Sequence, residues 1–98
     1  MHPKFSIVTV CKNSEETIRY TLNSVKSQTY KNIEHIIIDG ISNDGTIDII
    51  NEYINSDPQI PITFISEKDE GIYDAINKGI KNSNGDFISI LNADDIFH

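Results

Sequence analysis

The sequence predicts an α/β fold, in which a mainly parallel four-stranded sheet lies between helices in a three-layer α/β/α arrangement. Four apolar runs of strand length recur along the chain, and an amphipathic helical pattern lies between each pair. Strands and helices that alternate in the order β-α-β-α-β-α-β form parallel sheets through right-handed crossovers. Because the 98 residues show no linker or repeat, residues 1–98 are predicted to form a single domain.

The four predicted strands are rich in Ile, Val and Phe, which favour extended structure. They are FSIVTV (5–10), EHIIID (34–39), ITFIS (62–66) and DFISIL (86–91). The second run is almost continuously apolar. That pattern is typical of a strand covered on both faces.

The three predicted helices carry apolar residues at intervals of three or four positions. Ser14 is expected to cap the first helix, with Glu15 and Glu16 in its first turn. The predicted buried stripes are Ile18, Leu22 and Val25, then Ile47, Ile50 and Ile54, and finally Ile72, Ile76 and Ile80.

The composition narrows the possible partners and locations. Eight Lys and Arg residues stand against fifteen Asp and Glu, a formal net charge of −7, so no nucleic-acid partner is expected. The single cysteine excludes an internal disulfide. No signal peptide or apolar run of ~18 residues is present. We therefore expect a cytoplasmic protein, which as a longer chain could work at the inner membrane face.

Polar residues follow each predicted strand where the strand ends. The first strand leads into Lys12, the second ends at Asp39, and the others run into EKDEG and NADD. Since ligands of open parallel sheets bind beyond the carboxyl ends of the strands, these residues predict a binding site at one sheet edge.

Clustered carboxylates at that edge favour a particular kind of ligand. The dinucleotide fingerprint GxGxxG and the P-loop GxxxxGK[ST] are both missing from the sequence. Carboxylates suit a hard divalent cation, Mg²⁺ or Mn²⁺, whose open positions take phosphates. A nucleotide diphosphate bridged by such a metal would fit an acidic chain.

Four stretches together resemble a known family. They are SIVTVCKN (6–13), IIIDGISNDGT (36–46), SEKDEGIYDAINKGI (66–80) and GDFISILNADD (85–95). In this order they resemble the N-terminal, nucleotide-sugar-binding half of a family 2 glycosyltransferase, an inverting enzyme on the GT-A fold. The third stretch is similar to transferases of polysaccharide or capsule assembly. The resemblance implies a nucleotide-diphosphate sugar donor, a UDP-sugar, and a saccharide acceptor.

The resemblance also implies roles for individual residues. Asp39 matches the aspartate that accepts a hydrogen bond from the base, and Thr9 and Val10 match positions lining the base pocket. The DxD-type motif, which binds the metal and the ribose side of the donor, is matched by Asn92, Asp94 and Asp95. Asp94 and Asp95 are the candidate metal ligands, and which of them dominates is left open.

Two further nucleotide-binding candidates are Lys12 and Asp69. Lys12 stands where many members have an aromatic residue, so it could stack its aliphatic stem or reach a phosphate. Asp69 could equally be a simple first-turn residue of the third helix. Gly40 and Ile41 replace the second aspartate and the glycine of the common DDGS. Ser42 and Asp44 could cap the second helix or touch ligand, and Lys78 resembles a helix-end cation more than a phosphate ligand.

The catalytic base of the family lies downstream of the DxD motif, in the acceptor-binding part. We therefore expect a fragment with no catalytic residue of its own, which binds a nucleotide diphosphate weakly and transfers nothing. Surfaces exposed by truncation could support a homo-oligomer. Alternative interpretations are a non-catalytic nucleotide-binding module and a receiver-like signalling domain, although the latter needs an acidic pair after the first strand and a fifth strand.

Overall fold

The computed structural model describes residues 2–56 and 58–93, so the predicted metal ligands Asp94 and Asp95 lie outside the described residues. It confirms the predicted order of elements. They are β1 (Phe5–Cys11), α1 (Ile18–Lys26), β2 (Ile33–Asp39), α2 (Thr46–Asn55), β3 (Ile62–Ser66), α3 (Ile72–Lys81) and β4 (Phe87–Asn92).

The four strands form one sheet in the order β3-β2-β1-β4, and every neighbouring pair is parallel. The register pairs Cys11 with Asp39, Asp39 with Ser66, and Val10 with Asn92. The polar ends of all four strands therefore meet at one edge of the sheet, as the sequence predicted.

Helices cover both faces of the sheet and give the three-layer architecture. Residues of α1 and α2 pack on one face, and α3 packs on the other. The first core contains Cys11, Ile18, Leu22, Ile37, Ile50 and Tyr53, and the second contains Val8, Val10, Ile36, Ile38 and Ala75. All seven residues of β2 are buried, as its continuous apolar run indicated.

The buried face of α3 differs from the predicted stripe. Ala75 and Gly79 face the sheet, whereas Ile72 and Ile80 are 48% and 42% exposed. A Cβ on Gly79 would lie 2.2 Å from Cγ1 of Val8, so only the smallest residue fits at that crossing. Because the helix lies this close to the sheet, Ile72 and Ile80 are displaced to its flanks, so the predicted stripe was wrong at these two positions. The third predicted residue, Ile76, is partly buried and packs against the second core, as expected.

No helix within residues 2–56 and 58–93 is both long enough and apolar enough to span a bilayer.

Candidate functional site

A cleft of about 340 Å³ opens at the carboxyl ends of β1 and β4, beside the first turn of α3. It brings together four of the residues that the sequence predicted to bind nucleotide. The lining residues are Val10, Cys11, Lys12, Ser14, Asp69, Gly71, Ile72, Ala75 and Asn92. Of these, Val10, Lys12, Asp69 and Asn92 were predicted.

Val10 and Asn92 form one wall of the cleft because they are register partners on neighbouring strands. Cys11 lies next to them but is 8% exposed, and its Sγ contacts Oδ1 of Asp39 at 3.5 Å. Burial, together with the charge of Asp39, raises the pKa of the Cys11 thiol. The cysteine therefore stays a neutral thiol and is unsuited to act as a nucleophile.

Lys12 contributes the positive charge of the cleft. Its side chain is exposed, and it is the only cation among the described lining residues. Within the described part of the chain, the ammonium group forms no ion pair. An unpaired ammonium at the mouth of a cleft in an acidic chain is suited to bind an anionic group such as a phosphate.

Asp69 enters the cleft from the loop between β3 and α3. Its Oδ1 accepts a hydrogen bond of 3.1 Å from the backbone N–H of Gly71. Gly71 has a φ of 115°, a conformation that glycine adopts without strain, and it sets the entry into α3. The turn places Oδ2 of Asp69 beside Gly40, 2.6 Å from where a Cβ on that glycine would lie.

Asp39 is placed differently, since it is completely buried and does not line the cleft. Its Oδ2 accepts hydrogen bonds from the backbone N–H of Ser42 at 2.9 Å and from Oγ of Ser66 at 2.8 Å. Its Oδ1 accepts from Oγ of Ser42 and from the thiol of Cys11. The carboxylate thus joins the ends of β1, β2 and β3.

Thr9 also lies away from the lining of the cleft. Its Oγ1 is 2.7 Å from Nε2 of His35, and Nδ1 of His35 is 3.0 Å from the hydroxyl of Tyr53. Burial lowers the pKa of His35 to about 3, so the ring is neutral. No sequence motif indicates this buried network, and its one signal is a histidine inside an otherwise apolar run.

The loop after β1 is fastened to the loop after β2 by hydrogen bonds. Backbone N–H groups of Asn13, Ser14 and Glu15 donate to side-chain oxygens of the loop after β2 and of the first residue of α2, with distances of 2.8, 2.8 and 3.3 Å. The acceptors are Ser42 Oγ, Thr46 Oγ1 and Asp44 Oδ2, respectively.

These bonds bear on two expectations from the sequence. The α1 helix begins at Ile18, with Thr17 as its cap, so the predicted cap at Ser14 was wrong. Asp44 accepts hydrogen bonds from the hydroxyl and the backbone N–H of Thr46, the first residue of α2. These bonds, chiefly the one from the hydroxyl, lower the pKa of Asp44. Ser42 and Asp44 therefore hold the loops together.

The ammonium group of Lys78 contacts residues of the loop after β3. Its Nζ donates to the carbonyl oxygen of Lys68 at 2.6 Å and pairs with Glu67 at 3.2 Å and Asp74 at 3.4 Å. These contacts tie α3 to the loop that carries Asp69.

The sequence model for Glycosyl transferase family 2 matches residues 6–98. The chain belongs to glycosyl transferase family 2. It is 33% identical over 93 residues to the candidate teichuronic acid biosynthesis glycosyltransferase TuaG of Bacillus subtilis, covering 95% of this chain and 36% of TuaG. The chain spans about a third or less of the length of the curated relatives it matches.

Solved structures place this family 2 chain on the GT-A fold. TarS of S. aureus in complex with UDP-GlcNAc superposes with a TM-score of 0.85 at 27% identity, covering 95% of this chain and 27% of TarS. The mannosyltransferase PcManGT of Pyrobaculum calidifontis, in complex with GDP-Man and Mn²⁺, gives a TM-score of 0.92 at 22% identity, covering 99% and 29%. The predicted fold class and family are thereby confirmed.

The candidate metal ligands Asp94 and Asp95 of this family 2 chain lie outside the described residues. Residues 2–56 and 58–93 contain no group of three or more His, Cys, Asp or Glu residues that could hold a metal. They do place the side-chain oxygens of Asp69 and Asn92 along the cleft, and oxygen is the ligand that Mg²⁺ and Mn²⁺ prefer. These two side chains alone do not make a metal site, so a metal at this edge would need ligands from outside the described residues.

Proposed function

We propose that the cleft binds the nucleotide of a sugar donor, a UDP-sugar, for transfer to a saccharide acceptor in polysaccharide or capsule biosynthesis. The observation that carries this proposal is the convergence of Val10, Lys12, Asp69 and Asn92 on one cleft at the carboxyl ends of the strands. Its volume of about 340 Å³ lies within the range of small-molecule sites. TarS, on the same fold, is solved with UDP-GlcNAc.

The residues that line the cleft suggest where the base, the ribose and the diphosphate of the donor would lie. Lys12 forms no ion pair among the described residues, and its ammonium group would bind the diphosphate. Val10 and Ile72 supply apolar surface for a planar base. Asp69 and Asn92 add polar groups that can hydrogen-bond to the base and the ribose.

We further propose that Asp94 and Asp95, with the amide oxygen of Asn92, hold Mg²⁺ or Mn²⁺. A bound cation would neutralise the negative charge that develops on the leaving diphosphate. PcManGT is solved with Mn²⁺ on the same fold, which supports a metal requirement. The amide of Asn92 is a neutral ligand, so the two carboxylates would supply the charge.

Transfer itself needs a general base to deprotonate the acceptor hydroxyl. Because the chain covers only about a third of its relatives, we expect that base and the acceptor pocket in other parts of the whole protein. The 98-residue chain is therefore proposed to bind donor nucleotide without transferring sugar.

Self-association of the chain stays a prediction. The strand β4 is at the edge of the sheet, and its residues Ile88 and Ile90 are 42% and 43% exposed. Edge strands with exposed apolar side chains tend to pair with other chains. Light scattering that shows a monomer at high concentration would contradict this expectation.

Calorimetric titration of the chain with UDP, GDP and TDP, each with and without MnCl₂, tests the proposed function. We expect UDP to bind most tightly and MnCl₂ to strengthen its binding. If none of the three nucleotides binds while circular dichroism shows an intact fold, the donor-site proposal is wrong. If binding is unaffected by the metal, the assignment of Asp94 and Asp95 is wrong.

A further inference from the structure

The buried carboxylate of Asp39 has no free capacity for a ligand. It is 0% exposed, and its two oxygens accept four hydrogen bonds, from Ser42 (twice), Ser66 and Cys11. A carboxylate offers about four lone-pair positions. Accepting a hydrogen bond from a base would require Asp39 to give up one of these bonds and to become accessible.

The carboxylate of Asp69 has the capacity that Asp39 lacks. It lines the cleft, and its Oδ1 is fixed by the N–H of Gly71. No group among the described residues donates a hydrogen bond to its Oδ2. One oxygen is therefore held by the protein, while the other is an acceptor whose position is already set.

Gly40 provides the space in which that free oxygen lies. A Cβ built on Gly40 would be 2.6 Å from Oδ2 of Asp69 and 3.4 Å from Cδ of Lys12. In the family pattern this position carries the second aspartate of DDGS, and here it has no side chain. A carboxylate from the loop after β3 thus occupies the volume beside the strand end that a side chain at position 40 would fill.

We infer that Asp69, not Asp39, accepts the hydrogen bond from the base, and that Gly40 is the residue that admits its carboxylate. This inference rests on the proposed nucleotide function. An ionised carboxylate only accepts hydrogen bonds, so it favours uracil, whose N3–H is a donor, over cytosine, whose N3 is an acceptor. Asp39 is a positioning residue that fixes the ends of three strands.

The test is to measure dissociation constants for UDP and CDP on the wild-type chain and four variants. Asp69→Asn removes the charge but keeps an oxygen for the N–H of Gly71. Gly40→Ala displaces the end of the flexible Asp69 side chain without altering it. Glu70→Gln changes the exposed neighbouring carboxylate and is the matched control. Asp39→Asn tests the alternative assignment.

We expect the wild-type chain to prefer UDP to CDP. Asp69→Asn and Gly40→Ala should each narrow that preference by about tenfold, because a hydrogen bond to a charged group is lost. Glu70→Gln should keep the wild-type preference. Asp39→Asn should lower the melting temperature and weaken UDP and CDP binding by the same factor.

Three results would overturn the inference. The first is a wild-type chain that binds UDP and CDP equally well. The second is an unchanged preference in Asp69→Asn and Gly40→Ala. The third is a preference narrowed by Asp39→Asn alone, which would return the base contact to Asp39. A wild-type chain that binds neither nucleotide would instead contradict the proposed function, so the two failures are distinguishable.

Discussion

The loop after β2 (residues 40–45) and the loop after β3 (residues 67–71) lie at the same sheet edge and differ in how their polar groups are used. In the first, Ser42 and Asp44 are bonded to the protein, as is Asp39 at the strand end before them. In the second, Asp69 keeps one oxygen open toward the cleft. Residue type and position at a strand end do not distinguish these roles, whereas burial and the number of donors do.

The largest expected effect comes from substituting Asp39, the buried carboxylate of this comparison. Asp39→Ala leaves the buried hydroxyl of Ser42 without its acceptor and also removes the acceptor of the exposed Ser66 hydroxyl. We expect a loss of about 3 kcal/mol in the free energy of unfolding. Asp69→Ala, at the half-buried cleft carboxylate, should cost less than about 1 kcal/mol. Urea unfolding of both variants measures the difference, and equal losses would contradict the assigned roles.

Acid should destabilise the folded chain, because the buried ring of His35 must stay neutral there. Its pKa is about 3 in the folded chain and near 6.5 when unfolded, so the unfolded chain binds more protons below pH 6.5. Stability should therefore fall as pH decreases, by about 1.4 kcal/mol per pH unit once below that value.

Urea unfolding between pH 7 and 5 measures this slope before most carboxylates titrate. The variant His35→Gln should show a shallower dependence in the same range. A slope unchanged by that substitution would mean that His35 is not the responsible group.

On the open side, Lys12→Ala should weaken UDP binding by about tenfold, because one charge-assisted contact to phosphate is lost. The free energy of unfolding should change by less than about 0.5 kcal/mol, since the ammonium group has no ion pair among the described residues. Lys26→Ala, a lysine on α1 remote from the cleft, is the matched control and should leave the dissociation constant of UDP unchanged.

The smallest expected effect concerns Ile41, a residue with a strained backbone in the loop after β2. Ile41 has a φ of 57° and is 56% exposed, and a β-branched residue is strained in this left-handed region. Ile41→Gly should raise the free energy of unfolding by about 1 kcal/mol, and Ile41→Val should not. Thermal or urea unfolding of the two variants separates backbone strain from loss of side-chain contacts.

Much of the fold could be predicted because apolar periodicity reports burial locally. The four strands were placed to within one residue, and β2 was recognised as buried on both faces. The start of α1 and the buried face of α3 could not be predicted. The first depends on hydrogen bonds to a loop 30 residues away, and the second on the close approach of Gly79 to Val8.

The candidate site, like the fold, could be predicted only in part from the sequence. Strand-end position was enough to bring Val10, Lys12, Asp69 and Asn92 to one cleft. The saturation of Asp39 could not be foreseen, because its donors come from three separate segments of the chain. The hydrogen bond between Thr9 and His35 likewise joins two strands, β1 and β2, and could not be predicted from the sequence of either strand.

The central claim, that donor nucleotide binds at the carboxyl edge of the sheet, is tested most directly by mapping UDP on the labelled chain by amide NMR. We predict that titration shifts the amides of Lys12, Ser14, Gly71 and Asn92, which line the cleft. Amides of the hollow between α1 and α2, around Arg19, Asn23 and Glu52, should not move. Shifts confined to that hollow, or no shifts at millimolar UDP with Mg²⁺ present, would contradict the account.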